Sequence, residues 1–349
     1  MTFLQLSESN ILGAVLAFIL GLFVVPIVIV ISEKAGLMDM PGGRKIHSHP
    51  VSRLGGAAIW LCTIISLFSI ILVTHYPYRS QLSGLLLGSS LIFLLGLIDD
   101  IYGLSAKFKF TVQLAAASTA FCLGVKISSI FIPFAGSISL SPIVSYLITI
   151  GWIAGISNAV NFIDGVDGLA GSVIALSSVT MGFIAVSQGD SVSALIAFIL
   201  AGSILGFLTY NFYPAKIFMG DSGALFSGFL LAVLSIRYQN LNKSEITMYI
   251  PLLVLAAPVC DIVFSSVRRL IKGISPFEAD AGHIHHKLLK SGLTQNQAVL
   301  AIAAFSALSG ALAVLIAAED TIKYFLYALI ISSVMILLNR LAKYERNTG

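Results

Sequence analysis

Eleven stretches of this chain run for about one bilayer's worth of residues with scarcely a charge: 11–31, 54–74, 82–98, 110–125, 142–160, 169–188, 191–210, 222–238, 246–268, 297–318 and 322–342. A helix needs about 20 mostly apolar residues to cross the hydrocarbon core. Backbone in lipid must also satisfy its own N–H and C=O groups, and a helix does so within one segment. The expected fold is therefore all-α: a polytopic membrane protein with about 11 transmembrane helices, forming a single integral-membrane domain over residues 1–349. The fourth run is short, and the sixth and seventh are parted only by Gly189-Asp190. Segment 126–141 alternates apolar and small polar residues around Ala135-Gly136, which predicts a short hairpin at the membrane surface. No basic stretch precedes the run from Ile11 to Ile31, so it is expected to be a permanent helix and not a cleaved leader.

Charge supports this reading and orients it. Asp, Glu, Lys and Arg make up 10% of the 349 residues, against about 25% in soluble domains. That leaves too little polar surface for a soluble enzyme, a disordered chain or a nucleic-acid binder. Cys62, Cys122 and Cys260 are widely separated and each sits in an apolar run, so they read as packing residues. Of the 20 Lys and Arg, fifteen fall in the odd-numbered loops or the C-terminal tail. The positive-inside rule then places the N-terminus outside the cell membrane, and the odd loops and C-terminus in the cytoplasm. The conspicuous Asp, Asn and His residues share the cytoplasmic side. A carrier would place polar groups near the midplane; their concentration on one face favours an enzyme with a cytosolic substrate.

Four clusters carry that chemistry. The third run ends in Asp99-Asp100. Adjacent helical residues point about 100° apart, so one carboxylate can face a site while the other holds a base such as Lys107 or Lys109. The plain alternative is a solvated helix end. The fifth run leads into Asn158, Asn161, Asp164 and Asp167, spaced by three, which on a helix forms a single polar stripe. Asn supplies donors and acceptors suited to sugar hydroxyls or a uracil edge. Beyond the seventh run, Asn211 precedes Tyr213-Pro214, and Gly220 and Gly223 bracket Asp221-Ser222. Asp221 and Ser222 could cap the eighth helix, or Asp221 could bind a cation, and the two roles are compatible.

The ninth loop carries His283, His285 and His286 with Lys287. It reads as a solvated loop, a zinc site lacking the usual partners, or a phosphate-binding loop supported by Arg268 and Arg269. The first loop, from Pro41 to Gly56, is basic and turn-rich. It serves as a topological anchor, or as an anion-binding lip with Arg44, Lys45 and Arg53. Asp261 lies seven residues before Arg268, on the same helical face, and an internal ion pair is expected between them.

Together these clusters resemble the polyprenyl-phosphate N-acetylhexosamine-1-phosphate transferases, a family related to MraY. The resemblance runs from the Arg44–Gly56 loop to His286 in family order. The His-Ile-His-His run at 283–286 and the Arg53-Leu54-Gly55-Gly56 turn look like the WecA/TagO branch, whose usual donor is UDP-N-acetylglucosamine. Two positions depart from the family pattern: Gly103 stands where the acidic pair often extends to a third Asp, and Ala281 stands where relatives often carry a base.

The resemblance implies an enzyme that moves a sugar phosphate from a UDP-sugar to a polyprenyl phosphate lipid and releases UMP. It implies Mg²⁺, with Mn²⁺ as substitute, no nucleic-acid partner, and a state compatible with a homodimer. It makes Asp221 the principal metal ligand, with Asn161 beside it. It makes Asp99, Asp100 and Lys109 catalytic, and assigns Arg44, Lys45, Asn158, Asn161, Asp164, Asp167, Asn211, His283, His285 and His286 to substrate. The acceptor phosphate, largely dianionic at pH 7, would displace UMP directly; a covalent phospho-enzyme is the competing route.

Overall fold

The computed structural model describes residues 7–41, 49–74, 79–132, 136–241, 249–271, 273 and 282–318. The eleventh apolar run, Arg44, Lys45 and Ala281 lie outside the described residues. The other ten runs fall on helices: α1 (Glu8–Lys34), α2 (Gly55–Thr74), α3 (Arg79–Tyr102), α4 (Ala106–Cys122), α5 (Pro142–Ile163), α6 (Leu169–Ser187), α7 (Ser191–Asn211), α8 (Gly220–Leu241), the pair α9 (Tyr249–Val254) and α10 (Ala256–Ile271), and α12 (Gln295–Ala318), with a short α11 (Ile284–Lys290) before the last. The remaining elements are two small antiparallel ribbons. One pairs β1 (Met38–Asp39) with β2 (Val51–Ser52), and the other pairs β3 (Ser129–Ile132) with β4 (Gly136–Ser139). The second ribbon is the hairpin expected between the fourth and fifth runs, with Ser129 opposite Ser139.

Among the described residues, seven helices are long and apolar enough to cross a membrane. Two of them show why the fold needs lipid. α7 is apolar all round and buried on nearly every side from Val192 to Leu208, with Leu205 the exception, and it forms the centre of the bundle. α1 is as apolar, yet Ile11, Val15, Ile19, Phe23, Ile27 and Ile31 point away from the protein and are 44–67% exposed. An apolar row of that length is stable only against acyl chains. The chain is a polytopic, all-α membrane protein.

Because lipid is as apolar as leucine, these helices gain little from hydrophobic burial against each other, and close packing and interhelical hydrogen bonds hold them instead. Thr63 of α2 donates to Ser203 of α7 at 3.0 Å. Trp152 of α5 donates to Ser235 of α8 at 2.8 Å. Such bonds contribute about 0.6–2 kcal/mol each.

The ninth run does not form one helix; it breaks between α9 and α10. Pro258 has no N–H to give the Val254 carbonyl four residues back, and the Ser177 hydroxyl of α6 donates to that carbonyl at 2.9 Å. Beyond the break, α10 is two-faced. Asp261, Ser265 and Arg269 are buried, while Val263, Val267, Leu270 and Ile271 are exposed. The turn between α6 and α7 falls at Gly189-Asp190 as expected. Asp190 caps α7, accepting from Ser193 N at 3.1 Å, and pairs with Arg237 of α8 at 3.3 Å.

Candidate active site

α3, α5 and α7 finish at one end of the bundle, where α2, α4 and α8 begin, and the turns between them surround a cavity of about 810 Å³. Its wall includes Asp99, Asp100, Asn161, Asp164, Asp167 and Asp221. The volume is in the range of small-molecule sites. The density of carboxylates is not ordinary for a membrane protein, since each is costly to bring out of water.

Two glycines allow the walls to meet. A Cβ on Gly96 would run into the backbone of Asp221 and Ser222, so only glycine lets α3 pass the start of α8. Gly56 similarly sits against Ser222 and Gly223. The strand-like segment beside them is tied on, with Phe218 N donating to Ser52 O and Gly56 N to Met219 O, both at 2.8 Å.

The adjacent aspartates divide their work. Asp100 takes the start of α8: its Oδ1 accepts from Asp221 N at 2.8 Å, and its Oδ2 from Ser222 N at 3.1 Å and Ser222 Oγ at 2.5 Å. A negative charge there satisfies orphan amides and faces the positive end of the helix dipole. The cap of α8 is therefore Asp100, 121 residues away in sequence, and neither Asp221 nor Ser222 serves as one. Asp99 takes the base. Its Oδ1 accepts from Leu104 N at 2.6 Å and its Oδ2 from Lys109 Nζ at 2.9 Å. The same ammonium donates to Asp221 Oδ2 at 2.9 Å, and Asn161 Nδ2 lies 3.4 Å from Asp221 Oδ1. Lys109 thus bridges two carboxylates from two helices.

Asp164 follows the last residue of α5; its N–H donates to Asn161 O at 3.2 Å, and its carboxylate has no hydrogen-bond or ion-pair partner among the described residues. Burial, then the charges of Asp221, Asp100 and Asp167, push its carboxyl up to about 7. Asp167 accepts from Ala215 N at 3.0 Å and so holds the turn after Tyr213-Pro214.

Asn211 also lines the cavity but is 3% exposed; its amide accepts from Gly168 N at 3.0 Å and donates to Ile217 O at 2.8 Å, fastening two turns together. Asn158 does not line the cavity. It forms a reciprocal amide pair with Gln113 of α4, at 2.6 and 3.3 Å.

Of the three histidines, only His286 lines the cavity. His283 gives Nδ1 to a 2.7 Å contact with Asp261 Oδ2, and Ile284 N donates to Asp261 Oδ1 at 2.7 Å. The expected Asp261–Arg268 pair is replaced by this contact, because Arg268 turns to the Gly282 carbonyl at 2.6 Å. His285 is 2% exposed, stacked with His283, and its Nε2 has no hydrogen-bond partner among the described residues. Burial, then the neighbouring His286, pushes its imidazole down to about 4, so it is neutral at pH 7.

Arg53, expected at an anion-binding lip, is paired with Asp39. Asp39 and Gln295, not singled out in the sequence, line the cavity, and Gln113 draws its meaning from Asn158, 45 residues along the chain.

Comparison with known proteins agrees with this architecture. The model of glycosyl transferase family 4 matches residues 82–239. A Bacillus subtilis protein named probable undecaprenyl-phosphate N-acetylglucosaminyl 1-phosphate transferase is 35% identical over 299 residues, 84% of this chain and 82% of its own length. A Mycobacterium leprae decaprenyl-phosphate N-acetylglucosaminephosphotransferase is 35% identical over 311 residues, 82% of this chain and 78% of its own. An Escherichia coli undecaprenyl-phosphate alpha-N-acetylglucosaminyl 1-phosphate transferase is 29% identical over 293 residues, covering 82% and 78%. The matched segment contains both aspartates of α3, Lys109, Asn161, Asp164, Asp167, Asn211 and Asp221, and the chain belongs to glycosyl transferase family 4.

Proposed function

We propose that this protein transfers N-acetylglucosamine 1-phosphate from UDP-N-acetylglucosamine to a polyprenyl phosphate such as undecaprenyl phosphate, giving the lipid diphosphate sugar and UMP. The step would open synthesis of a cell-envelope polysaccharide or teichoic acid. The names of the relatives support the transferred group and the lipid acceptor. The observation that carries the reading is the gathering of Asp99, Asp100, Asp164, Asp167 and Asp221 round one cavity, with Lys109 bridging two of them.

The donor set suits Mg²⁺, a hard cation that takes one or two carboxylates and completes its shell with water and substrate phosphates. Among the described residues no group of three or more His, Cys, Asp or Glu converges closely enough to hold a metal alone. Asp221 and Asn161 are the proposed ligands, with the unpartnered Asp164 supplying further negative charge; Mn²⁺ could substitute. When bound, the cation would offset the diphosphate's charge and stabilise departing UMP.

The chain's own groups set the geometry. Asp100 fixes the start of α8 and therefore where Asp221 stands. Lys109 holds Asp221 against Asp99. Both oxygens of Asp100 already accept hydrogen bonds, as do both of Asp99. These bonds give both carboxylates a positioning role, and direct displacement needs no carboxylate nucleophile, because the lipid phosphate is itself largely dianionic at pH 7.

The biased placement of Lys and Arg supports a cytoplasmic site in the cell membrane, with 11 spans and the N-terminus outside.

The test is UMP release by the purified protein with undecaprenyl phosphate, Mg²⁺ and a panel of UDP-sugars. UDP-N-acetylglucosamine should give the fastest release, and Asp221→Asn should lower it at least about a hundredfold, as for loss of a key electrostatic group. No UMP from any UDP-sugar, or a UMP burst in the absence of lipid, would overturn the reading or its direct mechanism respectively.

A further inference from the structure

The Asn158–Gln113 pair has the form of a registration device. Gln113 is 4% exposed, and Asn158 spends its amide on Gln113 Oε1 at 2.6 Å and on the Ala154 carbonyl at 2.8 Å, while its own oxygen accepts from Gln113 Nε2 at 3.3 Å. Gln113 lies four residues after Lys109 on α4, and Asn158 three residues before Asn161 on α5. Each amide is therefore one turn beneath a group that touches Asp221, on the same face of its helix. Lys109 reaches Asp221 Oδ2 and Asn161 reaches Oδ1.

A buried amide left without its partner costs about 1–3 kcal/mol. Turning or sliding α4 against α5 would strand both, so the pair resists the motion that would pull Lys109 and Asn161 off Asp221.

We propose that Gln113 and Asn158 are positioning residues for this reaction: their mutual bond sets the rotation of α4 against α5 and so the seat of the Lys109 ammonium between Asp99 and Asp221. Neither residue touches substrate. The idea rests on the transferase reading above for its kinetic part, while the state of Lys109 can be read without turnover.

The experiment compares Gln113→Ala, Asn158→Ala, the double variant and the exchange Q113N/N158Q. Each is scored for UMP release and for acylation of Lys109 by an amine-reactive reagent, located by mass spectrometry. Each single variant should lower kcat at least tenfold with KM for the UDP-sugar changed less than twofold. Lys109 should be acylated several-fold faster. The double should be no worse than the worse single, and the exchange should recover most of kcat and of the protection.

Should Asn158→Ala not fold, Asn158→Asp keeps the shape, removes the donor to Gln113 and should show the same kcat loss and faster acylation. A rise in KM with kcat kept and Lys109 still protected would make Asn158 a substrate contact and overturn the proposal. Multiplying losses in the double variant would also overturn it. If the wild type released no UMP the transferase reading would fall, while the acylation pattern would still decide whether the pair seats Lys109.

Discussion

The two ends of the bundle treat charge in opposite ways. At the end where α6 turns into α7, Asp190 pairs with the Arg237 guanidinium and accepts from Ser193. At the other end, five aspartates line one cavity, the Lys109 ammonium bridges two of them, Asp99 and Asp221, Arg53 is engaged by Asp39, and the Asp164 carboxylate has no hydrogen-bond or ion-pair partner among the described residues. A paired carboxylate acts as a staple, whereas carboxylates gathered round a cavity are a place for a cation to act.

Substitutions at the two ends should therefore separate stability from activity. The largest effect is expected for Asp164→Asn: UMP release should fall at least a hundredfold or so, as for loss of a substrate-facing charge, while the melting temperature in metal-free detergent rises. The rise follows from the raised carboxyl. Unfolded, this group loses its proton near pH 4; folded, it holds it to about 7, so wild-type stability declines as pH rises through that window and the amide should remove the decline. An unchanged melting temperature would mean the negative charges are already compensated.

Asp190→Asn should do the reverse. Breaking a buried pair costs about 3 kcal/mol, read as a lower melting temperature, with turnover per folded molecule unchanged. A loss of turnover would show that the far end is coupled to the site.

A smaller effect belongs to His285. Its imidazole is held near 4, against 6.5 when free, so acid favours the unfolded chain between those values and stability rises with pH across them. Going from pH 7 to pH 5 should cost about 2 kcal/mol. The groups facing it are Asp261, His283 and His286, and His285→Gln should flatten the profile between pH 5 and 7 if this imidazole is the source.

The sequence disclosed the helices well because lipid imposes a single requirement, an unbroken apolar run, that can be counted along the chain. It disclosed the membership of the site for a related reason: charges at the mouths of such runs have few innocent explanations. It did not disclose who holds whom. Asp100 and Ser222 are joined across 122 positions, and nothing local distinguishes Asp100 from its neighbour Asp99. The stripe at 158, 161, 164 and 167 assumed a continuing helix, but α5 ends at Ile163. Asn158 consequently turns to Gln113 inside the bundle, while Asp164 and Asp167 sit on the turn beyond. Asp261 failed in the same manner, since its partner His283 lies on a different helix start.

The capture of the α8 amides by Asp100 has one more consequence. Many enzymes that handle phosphoryl groups cradle them on the bare beginning of a helix, where free N–H donors attract anions. Here the first amides of α8 are occupied by an acid from within the chain. In the transfer proposed above, an arriving diphosphate would meet carboxylates of its own sign there, and a shared counterion would carry its recognition in place of these amides, so a mimic that copies the oxygens of the diphosphate but cannot share that counterion should bind poorly.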